Sequence, residues 1–230
     1  LNLISSDVNI YNASTDGRST NGYINDFKFW FTKIKDFNPE YVIFYLGIND
    51  RFIHDRYLDY KISEKKIDQL KDYIKNNSFL IDKLKTVKNK YFPKNTLAYN
   101  FNINFLAENY KFINFKTASI LHSELTNKDI NLKKNFRLKL SNLKKIIDND
   151  NFKPIFITQL KYDGLMDKEL FLINNEIKNF AIKNDYFLIT LDEILEFDTN
   201  DFYDEVHTTP NGSKKIAKAI FPKLLNFLEK

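Results

Sequence analysis

Tyr41-Val42-Ile43-Phe44-Tyr45-Leu46 is an unbroken run of apolar and aromatic residues that stops at Gly47. A strand with one face in water alternates polar and apolar residues. An unbroken run rich in β-formers is the pattern of a strand covered on both faces of a parallel sheet. Pro154-Ile155-Phe156-Ile157-Thr158 repeats the pattern, Tyr186-Phe187-Leu188-Ile189-Thr190 supplies a further strand, and Val8-Asn9-Ile10-Tyr11 reads as a short one ending at Asn12. Helical spacing fills the intervals. Phe27, Trp30, Phe31 and Ile34 share one helix face bounded by Pro39, a helix runs from about Lys168 to Asn184, and a closing helix starts after Pro210. This alternation predicts an α/β fold with a doubly wound parallel sheet, in which ligands sit beyond the carboxyl ends of the strands.

A chain of 230 residues with 43% hydrophobic content and only five glycines is long enough for one domain, 1–230, with a sizeable core. With no cysteine, disulfide frameworks and thiolate zinc sites are excluded, and the redox compartment stays open. The net charge of +5 comes from scattered lysines. No basic stretch interleaves with aromatic stacking residues, so no nucleic-acid partner is expected. Tyr41 to Ile48, the longest apolar run, is too short to span a bilayer. Leu1 is not an initiator Met, and any targeting element is expected ahead of it, which leaves localisation open and allows a cell-envelope or extracytoplasmic site.

Between the strands at Tyr41 and Pro154 lies a stretch without a convincing strand, about 51–152, much longer than an ordinary crossover. Ile67, Leu70, Ile74, Leu80, Ile81 and Leu84 have helical spacing, as do Ile130, Leu132, Phe136, Leu138, Leu140, Leu143 and Ile146. The expectation is a long helical insert packed on the sheet, in preference to a cap shaping a substrate pocket.

Three short motifs sit at predicted strand ends or before the last helix: Asn12-Ala13-Ser14-Thr15-Asp16-Gly17, Gly47-Ile48-Asn49-Asp50 and Asp204-Glu205-Val206-His207. In this order and on this topology, they resemble the second, third and fifth blocks of the SGNH, or GDSL, hydrolases. The resemblance covers both ends of the chain and not the insert. It implies a flavodoxin-like SGNH topology and ester cleavage by acyl transfer, in which an oxyanion is met by preorganised donors worth on the order of 3 kcal/mol each. By resemblance these donors are the backbone N–H of Gly17 and the side-chain amide of Asn49. A glycine allows close backbone approach, and an amide donates without net charge. His207, with an ordinary pKa of about 6.5, is the candidate general base, and Asp204 is the residue that orients it.

Each residue also has a plainer reading. Gly17 suits a turn, Asn49 suits a cap at a strand-to-helix junction, and His207 suits a helix start paired locally with Asp204. Asp50 is expected to hold the loop, Trp30 to sit in the core, and His54 and His122 to be surface or packing residues. Asp201 is a second carboxylate near His207, but the family spacing selects Asp204.

The nucleophile departs from the family pattern. The family's serine lies in a Gly-Asp-Ser block after the first strand, and a parallel crossover then needs about a dozen residues. Only a few separate Ser5 and Ser6 from Val8, and Ser14 and Ser19 fall in the second block. The serine and the first strand are therefore expected upstream of residue 1, with Leu1 to Ser6 the tail of the first helix, and the chain as given is expected to be inactive. The resemblance implies a serine esterase acting on a small or carbohydrate-borne ester, without metal or organic cofactor. Hydrolysis and O-acyl transfer remain open, as do oligomeric state and a non-catalytic carbohydrate- or ester-binding relative.

Overall fold

The computed structural model describes residues 9–13, 17–35, 37–51, 125–160, 168–195, 197, 200–204 and 206–229. Residues 52–124 of the expected insert, with Ile67, Leu70, Ile74, Leu80, Ile81, Leu84, His54 and His122, lie outside the described residues, as do the expected helix tail Leu1 to Ser6 and Ser14. The elements are α1 (Thr20–Phe29), β1 (Tyr41–Tyr45), α2 (Asn127–Asp150), β2 (Lys153–Ile157), α3 (Lys168–Lys183), β3 (Phe187–Ile189), the short α4 (Leu191–Ile194) and α5 (Pro210–Leu228), with 3-10 turns at Phe31–Lys33 and Ile48–Arg51. The chain divides into two compact units, 1–59 with 125–159 and 172–188, and 60–124 with 160–171 and 189–230.

In the first unit, β1 pairs in parallel with β2, Tyr41 opposite Lys153 through Tyr45 opposite Ile157, and β3 lies beyond β2. The expected strands at Tyr41, Pro154 and Tyr186 are present. Of the strand expected at Val8–Tyr11, Val8 lies outside the described residues, and Asn9 to Tyr11 are irregular with Ile10 and Tyr11 exposed, because a tetrapeptide has no periodicity long enough to decide between strand and coil. Nor is β1 covered on both faces. Phe44 and Leu46 are buried while Ile43 and Tyr45 are exposed, so the unbroken apolar run overstates its burial.

The core gathers Ile24, Phe27 and Phe31 with Phe44, Phe156 and the inner stripe of α2. Phe27 stacks on Phe152 at 5.3 Å between ring centroids, and Phe44 stacks on Phe156 at 5.2 Å. Trp30 does not join them. It caps the end of α1 and is 49% exposed, because the helix gives way there to a 3-10 turn and the 3.6-residue register that placed Trp30 inward is lost. Ile34, on the same predicted face, is exposed for the same reason.

Helix α2 is specified at both ends. Thr126 and Asp129 form a capping box, the Thr126 hydroxyl accepting from the Asp129 N–H and the Asp129 carboxylate accepting from the Thr126 N–H, and Asn151 ends the helix in the left-handed region at φ 56°. Of its predicted apolar stripe, Leu132, Phe136, Leu140, Leu143 and Ile146 are buried, while Ile130 and Leu138 face out. Glu176 of α3, buried, receives Arg137 Nε at 2.5 Å and Nη2 at 2.9 Å, a forked pair that ties α3 to α2.

Two substitutions on α2 separate core from pattern. Leu143→Ala, at a fully buried position, should lower the urea-unfolding free energy by about 2–5 kcal/mol. Leu138→Ala, at a residue 57% exposed, should change it by less than about 0.5 kcal/mol.

Candidate active site

Beyond the carboxyl end of β1 the chain turns at Gly47, whose φ is 125°. A Cβ there would lie 2.8 Å from Ile173 Cγ2, so both backbone and space demand glycine. The 3-10 turn Ile48–Arg51 follows, closed by Asp50 N–H on the Gly47 carbonyl at 2.9 Å. Asn49 Nδ2 donates to the Arg18 carbonyl at 3.0 Å. Gly17, at φ 74°, immediately precedes Arg18, so this bond brings the Asn49 amide to the residue adjoining Gly17, from 31 positions away. The positive φ at Gly17 is a second place where side chains are disfavoured.

Asp50 fastens the same junction from below. Its side chain is fully buried; Oδ2 accepts from the N–H and hydroxyl of Thr20, at 3.0 and 2.7 Å, and Oδ1 accepts from Lys139 Nζ at 2.7 Å. The loop after β1, the start of α1 and the middle of α2 thus meet on one carboxylate, as expected for a residue holding the loop. Ser19 caps α1 by accepting from Asn21 N–H, a structural use of its hydroxyl. Arg18 pairs with Asp26 at 3.1 Å, both largely buried. Burial pushes the Tyr23 hydroxyl pKa up, and the Asp50 and Asp26 carboxylates push it further, so Tyr23 stays neutral.

A third set of bonds comes from Gln159, just past the end of β2. Its Oε1 accepts from Ile48 N–H at 2.5 Å and its Nε2 donates to the Tyr45 carbonyl at 3.1 Å. Asn174 of α3, fully buried, accepts from Gln159 N–H at 3.3 Å and donates to the Gln159 carbonyl at 2.8 Å. Sequence reading missed Thr20, Lys139, Gln159 and Asn174. The available signal was an amide on the apolar face of α3, between Ile173 and Ile177, with a second amide directly after an apolar strand.

In the second unit, Asp204 and His207 lie on one tight turn. Asp204 Oδ1 accepts from the N–H groups of Val206 and His207, at 2.9 and 2.7 Å, and Oδ2 lies 2.7 Å from His207 Nδ1. Partial burial works to raise the Asp204 pKa, but the bond to His207, the two backbone N–H donors and the charge attraction of His207 together hold it below the ordinary 3.8. An ionised Asp204 keeps the proton on Nδ1, leaving Nε2 as the acceptor. The imidazole is about half exposed, and no group among the described residues hydrogen-bonds Nε2. Tyr203 stacks on the ring, 9° from parallel at 5.6 Å.

The turn is anchored at both sides. Phe202 and Thr208 form an antiparallel bridge, Tyr203 N–H donates to the His207 carbonyl at 3.0 Å, and Thr209 N–H donates to the Asp201 carbonyl at 2.8 Å. Thr209 then caps α5 by accepting from Gly212 N–H, with Pro210 at the first helical position. A Cβ on Gly212 would stand 2.0 Å from the Asp201 carbonyl oxygen, so only glycine lets α5 start this close. Asp201 faces Lys215 Nζ at 2.7 Å, leaving Asp204 as the carboxylate on His207. Among the described residues no group of acidic, His or Cys side chains could hold a metal ion, and no helix is long and apolar enough to cross a membrane.

A parallel sheet flanked by helices, with a rigid glycine-asparagine loop beyond one strand and a carboxylate-oriented histidine just before a terminal helix, is the frame of an α/β hydrolase-like protein. The family model for the GDSL-like lipase/acylhydrolase matches residues 3–220, and the chain belongs to that family, whose members are generally ester hydrolases. No curated protein and no solved structure matches the chain.

Gly47→Ala should cost about 1–3 kcal/mol for the backbone conformation alone, with the Ile173 overlap added, read as a fall in unfolding midpoint. The Asp204 interaction contributes stability above the unfolded carboxyl pKa and loses it as pH falls through the lower folded value. Urea midpoints of Asp204→Asn should therefore lie below wild type at neutral pH, with the gap closing in acid below 3.8.

Proposed function

We propose that this protein is a serine esterase of the SGNH type that cleaves a small or carbohydrate-borne ester by acyl transfer. One observation carries the reading: Asp204 Oδ2 on His207 Nδ1 at 2.7 Å, which leaves Nε2 to act as a base. The Asn49 amide, held on the carbonyl of Arg18 next to Gly17, supports the reading as well. The serine hydroxyl attacks the ester carbonyl while His207 Nε2 takes its proton, and the negative oxygen is received by Gly17 N–H and Asn49 Nδ2. Collapse breaks the ester C–O bond, and Nε2–H returns the proton to the departing alcohol. A water molecule, or an acceptor hydroxyl in the transfer variant, then attacks the acyl-serine with His207 again as base, and collapse breaks the acyl–serine C–O bond as Nε2–H returns the proton to the serine oxygen. No metal or organic cofactor enters these steps.

The fold proposal that goes with this chemistry is one SGNH-type domain over 1–230, with a helical insert over about 51–152. The serine is expected in a Gly-Asp-Ser block ahead of Leu1, after the first strand of the sheet.

Labelling the full-length protein with a fluorophosphonate probe and mapping the modified peptide should identify one serine within such a block. Absence of label marks a non-catalytic ester- or carbohydrate-binding relative instead. On a p-nitrophenyl ester, His207→Ala should reduce kcat on the order of 10⁴-fold or more, and Asn49→Ala on the order of 10²–10³-fold. Product analysis with and without a sugar acceptor separates hydrolysis from transfer.

A further inference from the structure

The parallel ladder between β1 and β2 ends at Tyr45 opposite Ile157, yet the bonds between these two chains continue. Gly47 breaks the extended conformation, and the next rungs are made by a side chain: Gln159 Nε2 to the Tyr45 carbonyl and Gln159 Oε1 from Ile48 N–H. These two bonds bracket Leu46 and Gly47, so they set the path of the turn that delivers Asn49. Gln159 is itself 92% buried, and both of its backbone polar groups are engaged by the side chain of Asn174, which has no solvent exposure. A buried amide with donor and acceptor both matched has one orientation available, since reversing it would place N–H against N–H and oxygen against oxygen.

We propose that Gln159 is a positioning residue for the acyl-transfer reaction, held by Asn174 and acting through Ile48 to fix where the Asn49 amide stands. The inference rests on the esterase reading given above. A donor that acts on developing charge must be placed before the reaction begins, and a displacement of about 1 Å is enough to cost on the order of a hundredfold in rate. Asp50 fastens the turn to α1 and α2, whereas Gln159 is what joins it to the end of the sheet. Among the described residues Gln159 hydrogen-bonds Ile48, Tyr45 and Asn174 and no group proposed to meet substrate, so its effect should fall on kcat and leave substrate binding largely alone.

The test uses the full-length protein with three substitutions. Gln159→Met keeps the shape and removes both bonds. Gln159→Glu retains the acceptor for Ile48 N–H and, when protonated, regains a donor for the Tyr45 carbonyl. Leu143→Val loosens the core on α2 and removes no hydrogen bond to the turn. Gln159→Met should lower kcat at least tenfold with KM within about twofold of wild type, and Ile48 N–H should lose protection from hydrogen exchange. The ratio of Gln159→Glu kcat to wild-type kcat should rise as pH falls, as the carboxyl takes up a proton.

Wild-type kcat in Gln159→Met, or the same loss of kcat in Leu143→Val at matched unfolding temperature, overturns the positioning role. Should Gln159→Met fail to fold, a pH-independent Gln159→Glu ratio overturns it equally. An unlabelled, inactive wild-type protein defeats the esterase reading itself; protection of Ile48 N–H that survives in Gln159→Met then still rejects the proposed support of the turn.

Discussion

The first unit is organised around a carboxylate that water does not reach. Removing Asp50 from solvent is unfavourable unless the charge is both paired and hydrogen-bonded, and here Lys139 provides the countercharge while Thr20 provides two donors. Because these partners come from α2 and the start of α1, satisfying one charge fixes the relation of three chain segments that are distant in sequence. The position of Asn49, the next residue back, follows from that constraint together with its own bond to the Arg18 carbonyl. The aromatic core then packs around a junction whose polar geometry is already specified.

Much of this architecture was legible in the residues. The three strands announce themselves by continuous β-branched and aromatic runs, α2 by a stripe that remains in phase for five buried positions, and α5 by Pro210 behind a capping threonine. What failed did so for local reasons. At Trp30 the helix tightens to a 3-10 turn, and a periodicity argument assumes that the period does not change. Around Ile10 the apolar segment is too short for any periodicity to be decisive. Exposure of Ile43 and Tyr45 could not be read at all, since hydrophobicity states what a residue favours and not what covers it.

The candidate site divides in the same way. Asp204 and His207 were readable because their contact is short in sequence: a three-residue spacing, one turn, and a carboxylate that reaches both the ring and the backbone. Gly17 and Asn49 were readable only as motif positions, because the bond that brings Asn49 to Arg18, next to Gly17, runs from side chain to backbone across 31 residues. Gln159 and Asn174 were invisible, since nothing in an isolated glutamine says which amide it will meet 111 residues away. Polar partners separated by long loops are specified by the finished fold, and single-sequence patterns report them poorly.

This difference in range gives the two parts of the candidate site unequal durability. The histidine turn is built from neighbours and can re-form within a few residues of chain, whereas the asparagine loop exists only while distant segments stay assembled. Gentle warming or mild denaturant would therefore dismantle the asparagine loop while the Asp204–His207 pair still retained its geometry, so that any activity needing both would fade ahead of global melting.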